Sequence, residues 1–205
     1  MSSTKLLKYA LWLLLSLPGV WLIWLWVSGD SSAHYLLLPS GKYAIRAALV
    51  ALAVTPLRLI FPRAKWVLWL LKTRRAWGVA SCGYAALHTV FYLIDEGGLA
   101  GALGDISDAE IIIGWLAMLV FIVLAATSNN WSVKKLGRRW KTLQRAAYLA
   151  IVFSFLHWFL LGFYQVAMWT HLLPLVLLQA LRVYLQTRIQ PSQKAVSLDA
   201  SSPRD

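Results

Sequence analysis

Acidic side chains are scarce: eight Asp and Glu stand against 20 Lys and Arg in 205 residues. There is one cysteine, Cys82, so no internal disulfide can form; set mid-helix, it reads as a small packing residue. Only 14% of residues are charged while 60% are hydrophobic, with a mean hydropathy of +0.63. A soluble domain cannot hide that much apolar surface. No nucleotide-binding glycine pattern, P-loop or nucleophile elbow is present, so nothing in the chain binds NAD(P)H unaided. The net charge of +12 suits nucleic acid in a soluble protein. Here the basic residues flank apolar runs, which points to membrane topology and anionic lipid and not to nucleic acid.

The expected fold is therefore all-α: a polytopic membrane bundle of about six transmembrane helices. A span needs roughly 20 mostly apolar residues. Six such runs fall at about 6–27, 43–61, 75–94, 111–127, 146–163 and 166–185. The first resembles a signal peptide in having Lys5 and Lys8 before an apolar run. It is long, rich in Trp and lacks a small-residue cleavage site, so it reads as a retained helix. A linker at 62–72 mixes Arg63, Lys65 and Lys72 with Trp66 and Trp69 and suits a segment lying at the membrane interface. Residues 1–189 form one transmembrane domain, and the polar stretch 190–205 reads as a disordered cytoplasmic tail.

Charge sets the expected orientation. The N-terminus, the 62–72 linker, the 128–145 loop and the flank holding Arg182 and Arg188 are basic. The 95–110 loop holds five of the eight acidic residues (Asp95, Glu96, Asp105, Asp108, Glu110) and no Lys or Arg. Basic and non-basic connections alternate, which places both termini in the cytoplasm.

Two stretches share one pattern. Each opens on arginines and carries a histidine deep in the apolar run that follows. Arg75 to His88 is 13 residues (88 − 75), and Arg145 to His157 is 12 (157 − 145). At about 1.5 Å per residue, both imidazoles lie roughly 18–20 Å from their basic anchors, in the outer half of the membrane. An ionisable group at that depth is costly without a partner. Heme iron is such a partner: two neutral imidazoles give a six-coordinate iron suited to electron transfer. The bulky neighbours Leu87, Phe91, Phe155 and Trp158 would wall a porphyrin. The competing reading has each histidine hydrogen-bonded across helices and binding nothing. Zinc would need further ligands at that depth, and none is visible.

Three other residues are weaker candidates. Arg46, in the second run, either meets heme propionates as a charge-assisted pair or snorkels. His171 is an interfacial side chain or lines a quinone pocket, and His34 is an outer-loop residue in water. The twelve Trp mostly reflect interface belts.

Four pieces in order, GKYAIRAALVALAVTPLR (41–58), TRRAWGVASCGYAALH (73–88), ATSNNWSVKKLGRRWKTLQ (126–144) and YLAIVFSFLH (148–157), resemble the MsrQ family. This is the heme-binding membrane subunit of the periplasmic protein-methionine-sulfoxide reductase system, within the ferric-reductase-like transmembrane superfamily. The resemblance implies a bacterial inner-membrane, non-catalytic electron-transfer subunit. It would pass electrons from the quinone pool through heme b to a periplasmic molybdopterin catalytic subunit that repairs oxidised proteins. It implies His88 and His157 as heme-iron ligands. It also implies FMN, which no residues of this chain place. The family pattern often has LGRRWxxLH, with histidine where this chain has Gln144, a poor iron ligand; one heme per chain is therefore expected. A cofactor-free transporter or scaffold is the alternative. A stand-alone ferric or oxygen reductase would need a flavin and nicotinamide domain supplied in trans.

Overall fold

The computed structural model describes residues 3–199, with side chains from residue 5 to residue 187. Among them all regular structure is helical: α1 (Ser3–Val27), α2 (Ala33–Ile60), α3 (Lys65–Asp95), α4 (Leu99–Gly104), α5 (Ala109–Ala126), α6 (Asn130–Leu136), α7 (Arg138–Gln144), α8 (Ala147–Leu160) and α9 (Gln165–Asp199), with a short 3-10 turn (Asp105–Ser107) before α5. Six segments are long and apolar enough to cross a membrane: Lys5–Val27, Ala33–Ile60, Lys65–Asp95, Ala109–Ala126, Arg138–Leu160 and Gln165–Thr187. The expected six-helix membrane bundle is the observed fold.

Two boundaries differ from expectation. The second span begins at Ala33, not near residue 43, and absorbs most of the stretch between the first two expected runs. Ala33 and Leu36 bury against Leu22 of α1 and Phe91 of α3, and that burial outweighs Pro39 inside the helix. The 62–72 linker is not a separate interfacial segment. Only a short turn precedes Lys65, and the rest is the first part of α3. Val67 is fully buried and Trp69 packs on the cluster of Leu11, Leu15, Ala47 and Ala80, which holds this stretch in the helix. At the other end of the chain, the α9 backbone continues past residue 189 to Asp199. Residues 200–205 of the expected tail lie outside the described residues.

Packing follows small residues. α2 and α3 lie along one another, with Ala44, Ala47 and Ala48 of α2 buried beside Ala80 and Ser81 of α3. Close approach of backbones through such residues is what joins helices in lipid, where apolar burial alone gives little. Ser81 donates to the Ala44 carbonyl at 2.7 Å and Tyr84 to the Leu15 carbonyl at 2.6 Å, tying α3 to α2 and to α1. α5 packs chiefly on α8, and α9 lies against α2. The main core joins these elements through Ile45, Leu52, Phe121, Leu124, Ile151, Phe155, Trp158 and Met168. The bundle is thus two helix pairs, α2/α3 and α5/α8, facing each other.

The ends differ in charge. Asp95, Glu96, Asp105, Asp108 and Glu110 gather at one end, where His34 pairs with Asp95 at 2.8 Å and Tyr92 donates to Asp105 at 3.1 Å. His34, expected to be only solvated, thus has a partner, though its side chain is 70% exposed. The other end carries α6 and α7, split by Gly137 at φ 51°, with Asn129 capping α6 by accepting from the Ser132 N–H.

Candidate heme site

His88 on α3 and His157 on α8 meet where the two helix pairs come together. Their ring centres are 6.3 Å apart and their planes stand at 81°. Each ring is half-buried. Sequence reasoning expected the two to share one depth; the structure brings them together.

Each ring is held by the other helix of its own pair. His88 Nδ1 lies 2.9 Å from the Leu37 carbonyl on α2, with Ser40 Oγ at 3.3 Å. His157 Nδ1 lies 2.6 Å from the Glu110 carbonyl on α5. A carbonyl only accepts, so Nδ1 carries the proton in both rings. Nε2 is then left with a lone pair, the form in which imidazole binds a metal, and the carbonyl is the usual partner behind such a ligand.

The two cradles repeat. In each, the accepting carbonyl is followed four residues later by a glycine: Leu37 by Gly41 (41 − 37) and Glu110 by Gly114 (114 − 110). A Cβ on Gly41 would stand 3.3 Å from His88 Nδ1; a Cβ on Gly114 would stand 2.9 Å from His157 Nδ1. Any side chain at Gly114 would displace the ring from its carbonyl. Residues one helical turn apart share a face, so carbonyl and glycine together make a shallow seat for an imidazole. Sequence reasoning missed Gly114, Glu110, Leu37 and Ser40. The i, i+4 glycine spacing carries no signal until the facing histidine is known.

The separation provides a test of fit. Two imidazoles on opposite sides of one iron put their ring centres about 6.4 Å apart, from a metal–nitrogen bond of about 2 Å and about 1.2 Å from nitrogen to ring centre. The observed 6.3 Å agrees. A bare edge-to-face ring contact spans roughly 4.5–7 Å, so distance alone does not decide. The two rings also share matched carbonyl seats, each of which leaves Nε2 deprotonated and able to bind a metal. Among the described residues no three His, Cys, Asp or Glu side chains converge. The pair therefore suits a group that brings its own equatorial ligands.

The remaining expected residues have partners of their own. Arg46 Nε donates to His171 Nε2 at 3.1 Å and its guanidinium lies 5.8 Å from the Tyr43 ring centre. His171 in turn stands 5.9 Å from the Trp158 ring. Trp158 and Phe155 are stacked in the main core, with ring centres 6.5 Å apart. Phe91, expected as a porphyrin wall, is 1% exposed and packed against α1 and α2. Gln144 turns away from the histidines: its amide donates to the Leu124 carbonyl at 3.3 Å and to Thr127 Oγ1 at 3.1 Å, closing the end of α5.

Comparison with known proteins supplies the family. The family model of the ferric reductase like transmembrane component matches residues 43–155, ending two residues short of His157. The protein-methionine-sulfoxide reductase heme-binding subunits MsrQ of Brucella ovis, Brucella canis and Brucella suis are each 33% identical over 214 residues, covering 93% of this chain and 92% of theirs. The chain belongs to the MsrQ family. It is a multi-pass membrane protein of that family, and both histidines lie on its transmembrane helices. No solved structure matches this MsrQ-family chain.

Proposed function

We propose that this MsrQ-family chain is the heme-carrying, non-catalytic electron-transfer subunit of a protein-methionine-sulfoxide reductase, with one b-type heme per chain on His88 and His157. The observation that carries the reading is the pair of matched seats, each fixing Nδ1 on a backbone carbonyl and leaving two Nε2 atoms on rings 6.3 Å apart. Heme so held would supply one-electron carriage with no position open to oxygen. The chain's own part is to keep both imidazoles neutral, oriented and backed by a fixed carbonyl. A count of one is favoured by Gln144, whose amide is occupied at the end of α5. Arg46 is the residue we assign to a heme propionate, as a cation on a membrane-spanning helix whose described partners are the His171 imidazole and the Tyr43 ring.

The family's chemistry supplies the rest of the reading. Electrons would enter from the quinone pool and leave to a periplasmic molybdopterin subunit paired with this chain in the bacterial inner membrane. The positive-inside rule puts both termini in the cytoplasm. The histidine pair and the acidic 95–110 end would then face the periplasm, where the partner docks. FMN follows from the family likeness, and no residue here is assigned to it.

Oxidised and dithionite-reduced visible spectra of the purified protein test the reading, for wild type, His88→Ala and His157→Ala. A low-spin b-type spectrum lost or made high-spin in both variants supports it. Pyridine hemochrome against protein tests the count. A folded but colourless wild type would leave the transporter or scaffold alternative in its place.

A further inference from the structure

The end of the bundle remote from the histidines holds two arginines with no carboxylate partner among the described residues. Arg74 of α3 and Arg182 of α9 are half-buried and turned inward. Arg182 Nη1 donates to Tyr148 Oη at 2.5 Å and lies 3.4 Å from Gln179 Oε1; Gln179 in turn donates to the Leu52 carbonyl at 3.2 Å. Arg74 Nη1 reaches Thr55 Oγ1 at 3.5 Å, and its charge lies within electrostatic range of both Tyr148 and Arg182. Four helices, α2, α3, α8 and α9, thus contribute to one polar cluster with two positive charges.

Among the described residues no carboxylate offsets those charges. There is no Asp or Glu between Asp30 and Asp95, nor between Glu110 and Asp199. Among the described residues the only ion pair is His34–Asp95, at the opposite end. Arg182 Nε is moreover buried without a hydrogen-bond partner. A snorkelling arginine sends its head out to water; this one keeps Nε inside and turns Nη1 toward Tyr148. A buried donor without an acceptor is costly, and two like charges within range of each other add to that cost, so an anion would relieve both. The heme assigned above does not supply it: Arg74 precedes His88 by 14 residues on one helix (88 − 74), about 21 Å away.

We propose that Arg74, Arg182 and Tyr148 form a phosphate-binding site at the basic end of the bundle. Two guanidinium forks from different helices and a phenol make a donor set that suits a phosphate oxyanion. The phosphate is borne either by a lipid headgroup or by a soluble ligand. The lipid route is open, because Leu181, Val183 and Tyr184 expose 40%, 60% and 53% of their surfaces beside the site.

Native mass spectrometry and thermal unfolding of the full chain in detergent test this, with phosphatidylglycerol, phosphatidylcholine and inorganic phosphate as probes. Arg74→Gln and Arg182→Gln should weaken binding by about tenfold or more. Arg75→Gln removes the same charge one residue away, from a side chain that bonds Asn130 at 2.8 Å, and should bind as wild type does. Preference for phosphatidylglycerol with no response to inorganic phosphate assigns the phosphate to lipid. Stabilisation by inorganic phosphate in lipid-free detergent assigns it to a soluble ligand. Equal binding by all variants, or equal loss in Arg75→Gln, overturns the site. Tyr148→Phe keeps the ring and removes the hydroxyl; it should bind several-fold more weakly, and unchanged binding also overturns the site if the glutamine variants fail to fold. Helical circular dichroism reports that folding independently of any heme.

Discussion

Gly114→Ala places one methyl group against the seat of His157. The new Cβ would lie 2.9 Å from Nδ1, 3.0 Å from Cε1 and 3.5 Å from Cγ. Non-bonded heavy atoms settle near 3.5–4 Å, so the ring must retreat by roughly half an ångström or more. It cannot retreat freely, because Nδ1 is bonded to Glu110 O at 2.6 Å and α8 packs along α5. Breaking that bond costs about 0.5–1.5 kcal/mol, and overpacking adds about 1–3 kcal/mol. Disturbing the partner behind a metal-bound imidazole typically lowers metal affinity by roughly 10–100-fold. Gly114→Ala should therefore purify with substoichiometric heme, or with a high-spin component in its visible spectrum, and melt several degrees lower. Gly41→Ala is the internal control: its Cβ would stand 3.3 Å from His88 Nδ1, so the same defects should appear in weaker form. Wild-type heme content and spin state in a folded Gly114→Ala would refute the seat as the device that orients His157.

The imidazole planes stand at 81°, which in the proposed heme would bring the two iron d-orbitals that axial ligands split close together in energy. Electron paramagnetic resonance of the oxidised protein should then show a highly anisotropic low-spin signal, and a rhombic signal of parallel ligands would contradict the ring geometry. Arg46→Gln removes a cation assigned to the heme and should lower its reduction potential in a spectroelectrochemical titration; an unchanged potential would remove Arg46 from the site. Gln144→Ala forfeits bonds to Leu124 and Thr127 and should cost about 1 kcal/mol of thermal stability while leaving the hemochrome count at one; a lost heme would give Gln144 a ligand's role. Ser81→Leu forces a large side chain where Ser81 is wholly buried against Ala44. It should separate α2 from α3 and perturb the heme spectrum through His88, and a wild-type spectrum with wild-type melting would show that this contact does not position the ring.

Class and span number were legible because lipid imposes a crude rule: a helix must present about 20 apolar residues, whatever packs beside it. The histidine pair was legible for a related reason. Arginine anchors and a fixed rise per residue give each imidazole a depth before any contact is known. Boundaries were less so. Where α2 begins and whether 65–72 joins α3 depended on burial of Ala33, Leu36 and Val67 against other helices, a cost and gain that no local composition records. The seats were invisible for the same reason, since a backbone carbonyl has no letter of its own. Leu37 and Glu110 serve through their carbonyls, and Gly41 and Gly114 through what they omit. Nor does any spacing relate Arg74 to Arg182 across 108 residues (182 − 74). Depth and class are one-dimensional properties that a chain carries along its length. Which ring faces which, and which charge is left without a partner, are pairwise properties that exist only once helices distant in sequence have been packed side by side.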